Sequence, residues 1–286
     1  MTVAVIGYAS ADRPVAVDVL PTPDTTAIVR ERLGPAWPRL GGCGPQIAAG
    51  LAARGVDARC ITWVADDEAG RYLRHRIEES GADVSGVDIS GQRTPESYLV
   101  YDREGRTLCF FDPGGATPDG LTPAQREIVA NADVICLSVA PAAVSRMALD
   151  VAGEAARIVW SVKADPDAYP TDLAGELLGR AEVVWHSERE ATFVAGRALG
   201  GAMRPDALVI ETRGPAGAGW RRGSESGREG AEPVSVSDTT GAGDAFVAGS
   251  LSHLLDHPTD SAGAVRAGIA ASRVLLEWRA TAEKES

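Results

Sequence analysis

Short apolar runs rich in β-branched residues alternate along this chain with longer segments whose apolar positions recur every three to four residues. The short runs lie at 3–7, 58–64, 133–139, 157–162, 182–185 and 207–212. Nearly continuous hydrophobicity over so few residues predicts strands buried on both faces. The longer segments predict helices at 44–54, 66–80, 123–130, 142–151, 172–178, 188–195, 243–255 and 261–278. Two carry end signals: Gly55 stops the first, and Asp66 and Asp67 open the second, which Gly81 closes. Strand–helix alternation of this kind predicts an α/β fold of three layers, a mostly parallel sheet flanked by helices.

Two stretches break the rhythm. Residues 14–20 and 96–111 alternate apolar and polar positions, and the turn Asp102-Arg103-Glu104-Gly105 splits the second stretch into two strands. With no helix between them, these strands predict a small antiparallel β lid on a single domain spanning 1–286. Its exposed face needs cover, from bound substrate or from a second copy of the chain. Residues 221–233, rich in Gly, Ser and charge, read as a surface loop.

Composition narrows the function classes. Formal net charge is −12, and the pairs and clusters of arginine at 71–76 and 221–222 are short and mixed with acids or glycines. A nucleic-acid partner is not expected. No run of about 18 apolar residues is present, so no membrane span is expected. Met1–Gly7 reads as a first strand and not as a leader peptide. Cys43, Cys60, Cys109 and Cys136 are scattered, and the four histidines lack metal-ligand spacing. Reduced thiols and a cytoplasmic setting are the expectation.

The candidate chemistry centres on Asp238-Thr239-Thr240-Gly241-Ala242-Gly243-Asp244. Small residues at 241–243 let successive N–H groups converge at a helix start, where the dipole favours an anion. Asp244 then stands in the first helical turn, as a simple cap or as a base that accepts a hydroxyl proton. Spacing alone leaves both open. A second glycine pair, Gly41-Gly42, leads through Cys43, Gly44, Pro45 and Gln46 into an Ala-rich helix, and Asp12 follows the first strand.

The run from Asp238 to Phe246 closely resembles the C-terminal signature of the ribokinase-like (PfkB) sugar and nucleoside kinases, and the likeness extends from Val3 to the last helix. The resemblance implies that Asp244 is the general base and that Gly241, Ala242 and Gly243 form the anion hole. It implies that Asp12 binds substrate hydroxyls and that Gly41, Gly42 and Gln46 line the acceptor site. Ser187 and Glu190 match an Asn-x-x-Glu motif that organises magnesium and phosphate, with Ser187 in the place of Asn. Thr212 and Gly214 match a nucleotide-binding turn. Asp238 and Thr240 match a monovalent-cation site, of the kind that binds K⁺. The family's usual Lys and Asn of the glycine loop are here Cys43 and Gln46, so the acceptor pocket has changed.

ATP and Mg²⁺ are therefore the implied cofactors. The implied reaction is phosphorylation of a hydroxymethyl group of a small sugar, with a homodimer through the lid. A Glu that contacts ribose in ribokinase falls near Val139, against a plain ribokinase. The end of the lid, Phe110 to Gly115, resembles bacterial adenosine-kinase-like members. Tyr98, Tyr101, Phe110 and Phe111 could stack on a base, or equally serve as core and dimer face. A nucleoside kinase is thus an alternative, and a non-catalytic sensor on the same fold is another. A dinucleotide-binding oxidoreductase lacks its Gly-x-Gly-x-x-Gly after the first strand, and no P-loop sequence is present.

Overall fold

The computed structural model describes residues 1–115, 118–197 and 203–285. Strand β1 (Thr2–Ile6) starts a large sheet, and the chain then leaves it for β2 (Ser10–Val17), β3 (Val29–Arg32) and β4 (Arg39–Gly41). Helix α1 (Cys43–Ala52), β5 (Asp57–Ala65), α2 (Glu68–Glu79) and β6 (Val87–Gly91) return it to the large sheet. Strands β7 (Glu96–Tyr101) and β8 (Thr107–Asp112) join the small sheet. The second half alternates strictly: α3 (Pro123–Ala130), β9 (Val134–Leu137), α4 (Ala142–Val151), β10 (Arg157–Ser161), α5 (Thr171–Arg180), β11 (Val183–Ser187), α6 (Ala191–Arg197), β12 (Leu208–Thr212). A hairpin of β13 (Ala218–Arg222) and β14 (Glu225–Glu229) precedes α7 (Ala242–Asp256) and α8 (Ser261–Glu285).

Among the described residues the large sheet has the order β14-β13-β12-β11-β10-β9-β1-β5-β6. Its pairings are parallel from β12 to β6, and β13 runs antiparallel to both its neighbours, β12 and β14. Strand β1 sits inside it, with Val5 opposite both Cys60 and Cys136. Alternate residues of β1 feed the two faces, as pleating requires. Val3 and Val5 pack with Ile47, Leu51 and Leu251 on one side. Ala4 and Ile6 pack with Ile135, Trp160 and Leu173 on the other. All of these are fully buried, which accounts for the continuous apolar runs in the sequence.

The small sheet has the order β3-β2-β7-β8, with β4 also paired to β2. It is antiparallel except between β2 and β7, which run parallel. The strand expected at 14–20 occupies Ser10–Val17, so it begins directly after the turn that follows β1. Residues 221–233 are not simply a loop. They include the end of β13 and all of β14, the edge strand, and the Arg, Glu, Ser and Gly there mask their nature. The helix expected at 188–195 opens with a 3₁₀ turn over Glu188–Glu190.

One side chain joins the two sheets. Asp67 caps α2 by accepting from the Gly70 N–H at 2.7 Å. It also accepts from the Thr94 N–H at 2.9 Å and the Thr94 hydroxyl at 2.6 Å, just ahead of β7. Thr94 in turn accepts from the Ala65 N–H at 3.0 Å, at the end of β5. Removing this carboxylate strands several donors at a junction where Thr94 is buried. Asp67→Ala is expected to lower unfolding free energy by roughly 2–3 kcal/mol, read by urea denaturation.

Candidate active site

Asp12 lies in the middle of β2, 3% exposed, and its neighbour β4 places Gly41 beneath its carboxylate. A β-carbon on Gly41 would fall 2.0–2.2 Å from the carboxylate atoms, so only glycine leaves room for them. Burial pushes Asp12 up to about 6, with the charge of Asp244 adding to it; hydrogen bonds from Ser10 and Ser97 and the charge of Arg39 work the other way. Gly42 is the N-cap of α1, and Cys43 begins the helix. Burial first, and then the adjacent Asp244 carboxylate, push the Cys43 thiol up to about 12. Gln46, one turn into α1, reaches the Gly241 turn: a β-carbon on Gly241 would stand 2.0 Å from its Oε1.

Gly241 adopts a left-handed conformation, φ 80°, and is the N-cap of α7. That conformation turns the chain from Thr240 into the helix, and a side chain there would be strained as well as blocked by Gln46. The Ala242 N–H closes the turn onto the Thr239 carbonyl at 3.2 Å. Ala242 can thus reach an anion only by sharing that bond. Asp244 sits in the first turn of α7, 6% exposed, and its Oδ1 is buried without a hydrogen-bond partner. A buried, unpartnered carboxylate oxygen at a helix start is free to accept a proton or a donor from a ligand.

The nucleotide-end candidates meet at the C-terminal ends of two parallel strands. Ser187 ends β11 and stands opposite Thr212, the last residue of β12. Glu190 folds back so that its Oε2 accepts from the Ser187 N–H at 2.7 Å and the Ser187 hydroxyl at 2.9 Å. Gly214, φ 54°, starts the turn after β12. Ligands of open α/β sheets gather outside the carboxyl ends of the strands, and these residues stand there. Among the described residues, no three His, Cys, Asp or Glu side chains form a metal cage. A magnesium ion held chiefly by phosphates and water needs only one or two protein carboxylates, and the anchored Glu190 suits that part.

Lys163 connects the two ends and is absent from the residues that the sequence motifs single out. It follows β10 by two residues. Its neighbours hold it well above the ordinary lysine range: Cys43 first, then, against the opposing effect of burial, Asp244 and Glu190. With the Cys43 thiol itself at about 12, the two carboxylates are the charges that Lys163 meets at neutral pH. A compositional signal marks it. Only two of the 28 Lys and Arg residues are lysine, and the other, Lys284, is near the end of the chain.

Asp238 and Thr240 are brought together, in unexpected company. The Thr240 N–H donates to Asp238 Oδ1 at 2.9 Å. Arg39 of β4 pairs with Asp238 Oδ2, and Arg279 of α8 pairs with Oδ1 at 3.0 Å. The Tyr101 hydroxyl bonds to that of Thr240. Tyr101 is therefore buried and cannot stack on a substrate ring. Tyr98 and Phe110 are paired on the exposed outer face of the small sheet. Phe111 is paired with the buried Ser97 on the inner face, yet it remains 43% exposed, and its ring lies 5.1 Å from that of Tyr8. Of the four thiols, Cys60 and Cys136 are buried, Cys43 is half-buried and Cys109 is exposed on β8; all are free.

Comparison with known proteins accords with this geometry. The model of the pfkB family carbohydrate kinases matches residues 3–285. A fructokinase of Klebsiella pneumoniae is 31% identical over 237 residues, 76% of this chain and 77% of that one. An ATP-dependent ribose-1-phosphate kinase of Halopiger xanaduensis is 31% identical over 248 residues, 85% of this chain and 81% of that one. The structure of a ribokinase from Cryptococcus neoformans in complex with ADP superposes with a TM-score of 0.81 at 18% identity, covering 96% of this chain and 94% of that one. The chain belongs to the pfkB family, whose members are ATP-dependent kinases of sugars or nucleosides with hydroxyl acceptors.

The burial of Asp12 has a thermodynamic signature. Its folded pKa lies above its unfolded one, so its contribution to stability is complete below about pH 4 and is lost as pH rises through about 6. Asp12→Asn is expected to raise stability at pH 8 by on the order of 2 kcal/mol, with the gain vanishing near pH 4. Thermal unfolding across pH measures it.

Proposed function

We propose that the chain transfers the γ-phosphoryl group of MgATP to a hydroxymethyl group of a small sugar. The observation that carries this reading is the approach of two buried carboxylates, Asp12 and Asp244, near enough for the charge of one to act on the other, with Asp244 Oδ1 unpartnered. Asp12 accepts hydrogen bonds from acceptor hydroxyls and orients the sugar. Asp244 takes the proton of the attacking hydroxyl as its oxygen bonds to the γ-phosphorus. The bond from that phosphorus to the β–γ bridging oxygen breaks, and ADP departs. Backbone N–H groups at 241–243 and the Lys163 ammonium face the charge that spreads over the transferring group. Ser187, Thr212 and Gly214 hold the nucleotide phosphates, and Glu190 would hold an Mg²⁺ ion, which would supply charge neutralisation. The chain works as one domain in the cytoplasm, with the small sheet as its lid. The outward row of Tyr98 and Phe110 supports pairing of two lids.

A nucleoside acceptor is a second reading, favoured by one feature. The inner-face contact of Phe111 with Tyr8 offers an aromatic wall above the acceptor end, where a base would stack.

An ADP-release screen of the purified protein with MgATP against pentoses, hexoses, their phosphates and nucleosides tests both. Turnover of sugars is the expected result; turnover of nucleosides alone favours the second reading, and no turnover refutes both. With an accepted substrate, Asp244→Asn is expected to lose at least ~10²-fold in kcat while circular dichroism is unchanged. Acceptor KM is expected to rise as pH falls through about 6, because Asp12 must be ionised to accept hydroxyl protons. A flat KM profile from pH 8 to 5 removes Asp12 from the acceptor site.

A further inference from the structure

The residues around Asp238 do not suit the monovalent cation that the family likeness implies. Such a cation needs carboxylate, hydroxyl or carbonyl oxygens with their lone pairs free. Here both carboxylate oxygens of Asp238 are taken by N–H donors. Oδ1 accepts from the Thr240 N–H at 2.9 Å and faces Arg279 Nη1 at 3.0 Å, and Oδ2 accepts from Arg39. The Asp238 carbonyl also receives Arg279 Nη1, at 3.2 Å. The Thr240 hydroxyl is engaged by Tyr101. Two guanidinium charges thus surround one carboxylate, and Asp238 and Arg279 are only 2% and 7% exposed. A third cation placed there would meet repulsion in a region that water screens poorly.

We infer that Arg39 and Arg279 stand in for the monovalent cation, so that the Asp238–Gly241 turn is held by the protein's own charges. This rests on the kinase reading of that turn, but the pairing can be tested without it. Arg39 lies in β4 beside Asp12, and Arg279 belongs to the last helix. The clamp therefore links the acceptor strand, the glycine turn and α8 into one charged unit. Burial on its own would raise the Asp238 carboxyl, yet the hydrogen bond and charge of Arg39 and the charge of Arg279 bring it below the ordinary aspartate range. Burial and the nearby Arg39 in turn lower Arg279, against the pull of Asp238. These are the marks of a mutually dependent cluster rather than a surface ion pair.

The arginines act as positioning residues, since they reach the reacting atoms only through the turn. The test compares KCl with tetramethylammonium chloride at equal ionic strength. For the unaltered chain, Tm is expected to agree within about 1 °C and turnover within two-fold. A Tm rise specific to K⁺, or a fall of more than about five-fold in kcat on its removal, overturns the inference. The Tm arm holds even if no acceptor is found, so failure of the kinase reading and failure of the clamp are told apart. Arg279→Met is expected to lower kcat at least ten-fold with acceptor KM little changed, and K⁺ should restore several-fold of that loss. Arg279→Lys keeps the charge and is expected to remain indifferent to K⁺; K⁺ activation of this variant equal to that of Arg279→Met also overturns the inference. Should Arg279→Met fail to fold, the unaltered chain and Arg279→Lys decide.

Discussion

Two helix N-termini, those of α1 and α7, converge above the C-terminal edge of the large sheet, and the rest of the molecule is arranged around their meeting. Gln46 touches the Gly241 turn, and Gly50 lets Ala248 approach so closely that a β-carbon would stand 2.6 Å away. Both helices aim the positive ends of their dipoles at the same region. That shared field favours the carboxylates of Asp12 and Asp244 there, and a phosphoryl group when one is present. Helix α1 is packed on β1 and β5 and α7 packs on α1 and α8, so the position of the site follows from the packing of the core.

Holding charge in such a place opposes stability. Asp12 is ionised at neutral pH against its burial, and the carboxylates near Lys163 offset the burial that would lower it. A lone buried charge would neutralise or destabilise the fold by several kcal/mol. Here charges of both signs are interleaved from Glu190 through Lys163 and Asp244 to Asp12, and onward through Arg39 to Asp238 and Arg279. Opposite charges relieve one another along this run, while the like pairs Asp12 with Asp244 and Arg39 with Arg279 oppose each other. Removing one therefore disturbs more than its own role, which is why charge-conserving variants are the informative ones.

The parallel sheet and its helices were legible because burial on both faces writes an unbroken apolar run, as in β1 and β9. The edge hairpin β13–β14 was not, because solvent and edge protection favour the same residues that loops use. Trp220, whose ring covers Gly227, is the one strong clue to it. The parallel pairing of β2 with β7 joins positions some 85 apart, and no local pattern announces it. The motif residues assembled at the strand ends, but their partners did not announce themselves. Arg39 and Asp238 are separated by 199 positions, and a long-range ion pair leaves no periodicity. Lys163 is different, since it is one of only two lysines in a chain that otherwise uses arginine, which marks it for inspection.

That same bias makes the protein unusually transparent to spectroscopy. With two lysines in the sequence, isotopic labelling of lysine yields two side-chain amine resonances. One belongs to Lys284, near the end of the chain. The other reports the protonation and mobility of the charge between Asp244 and Glu190, so the centre of the cleft can be watched without placing any foreign group in it.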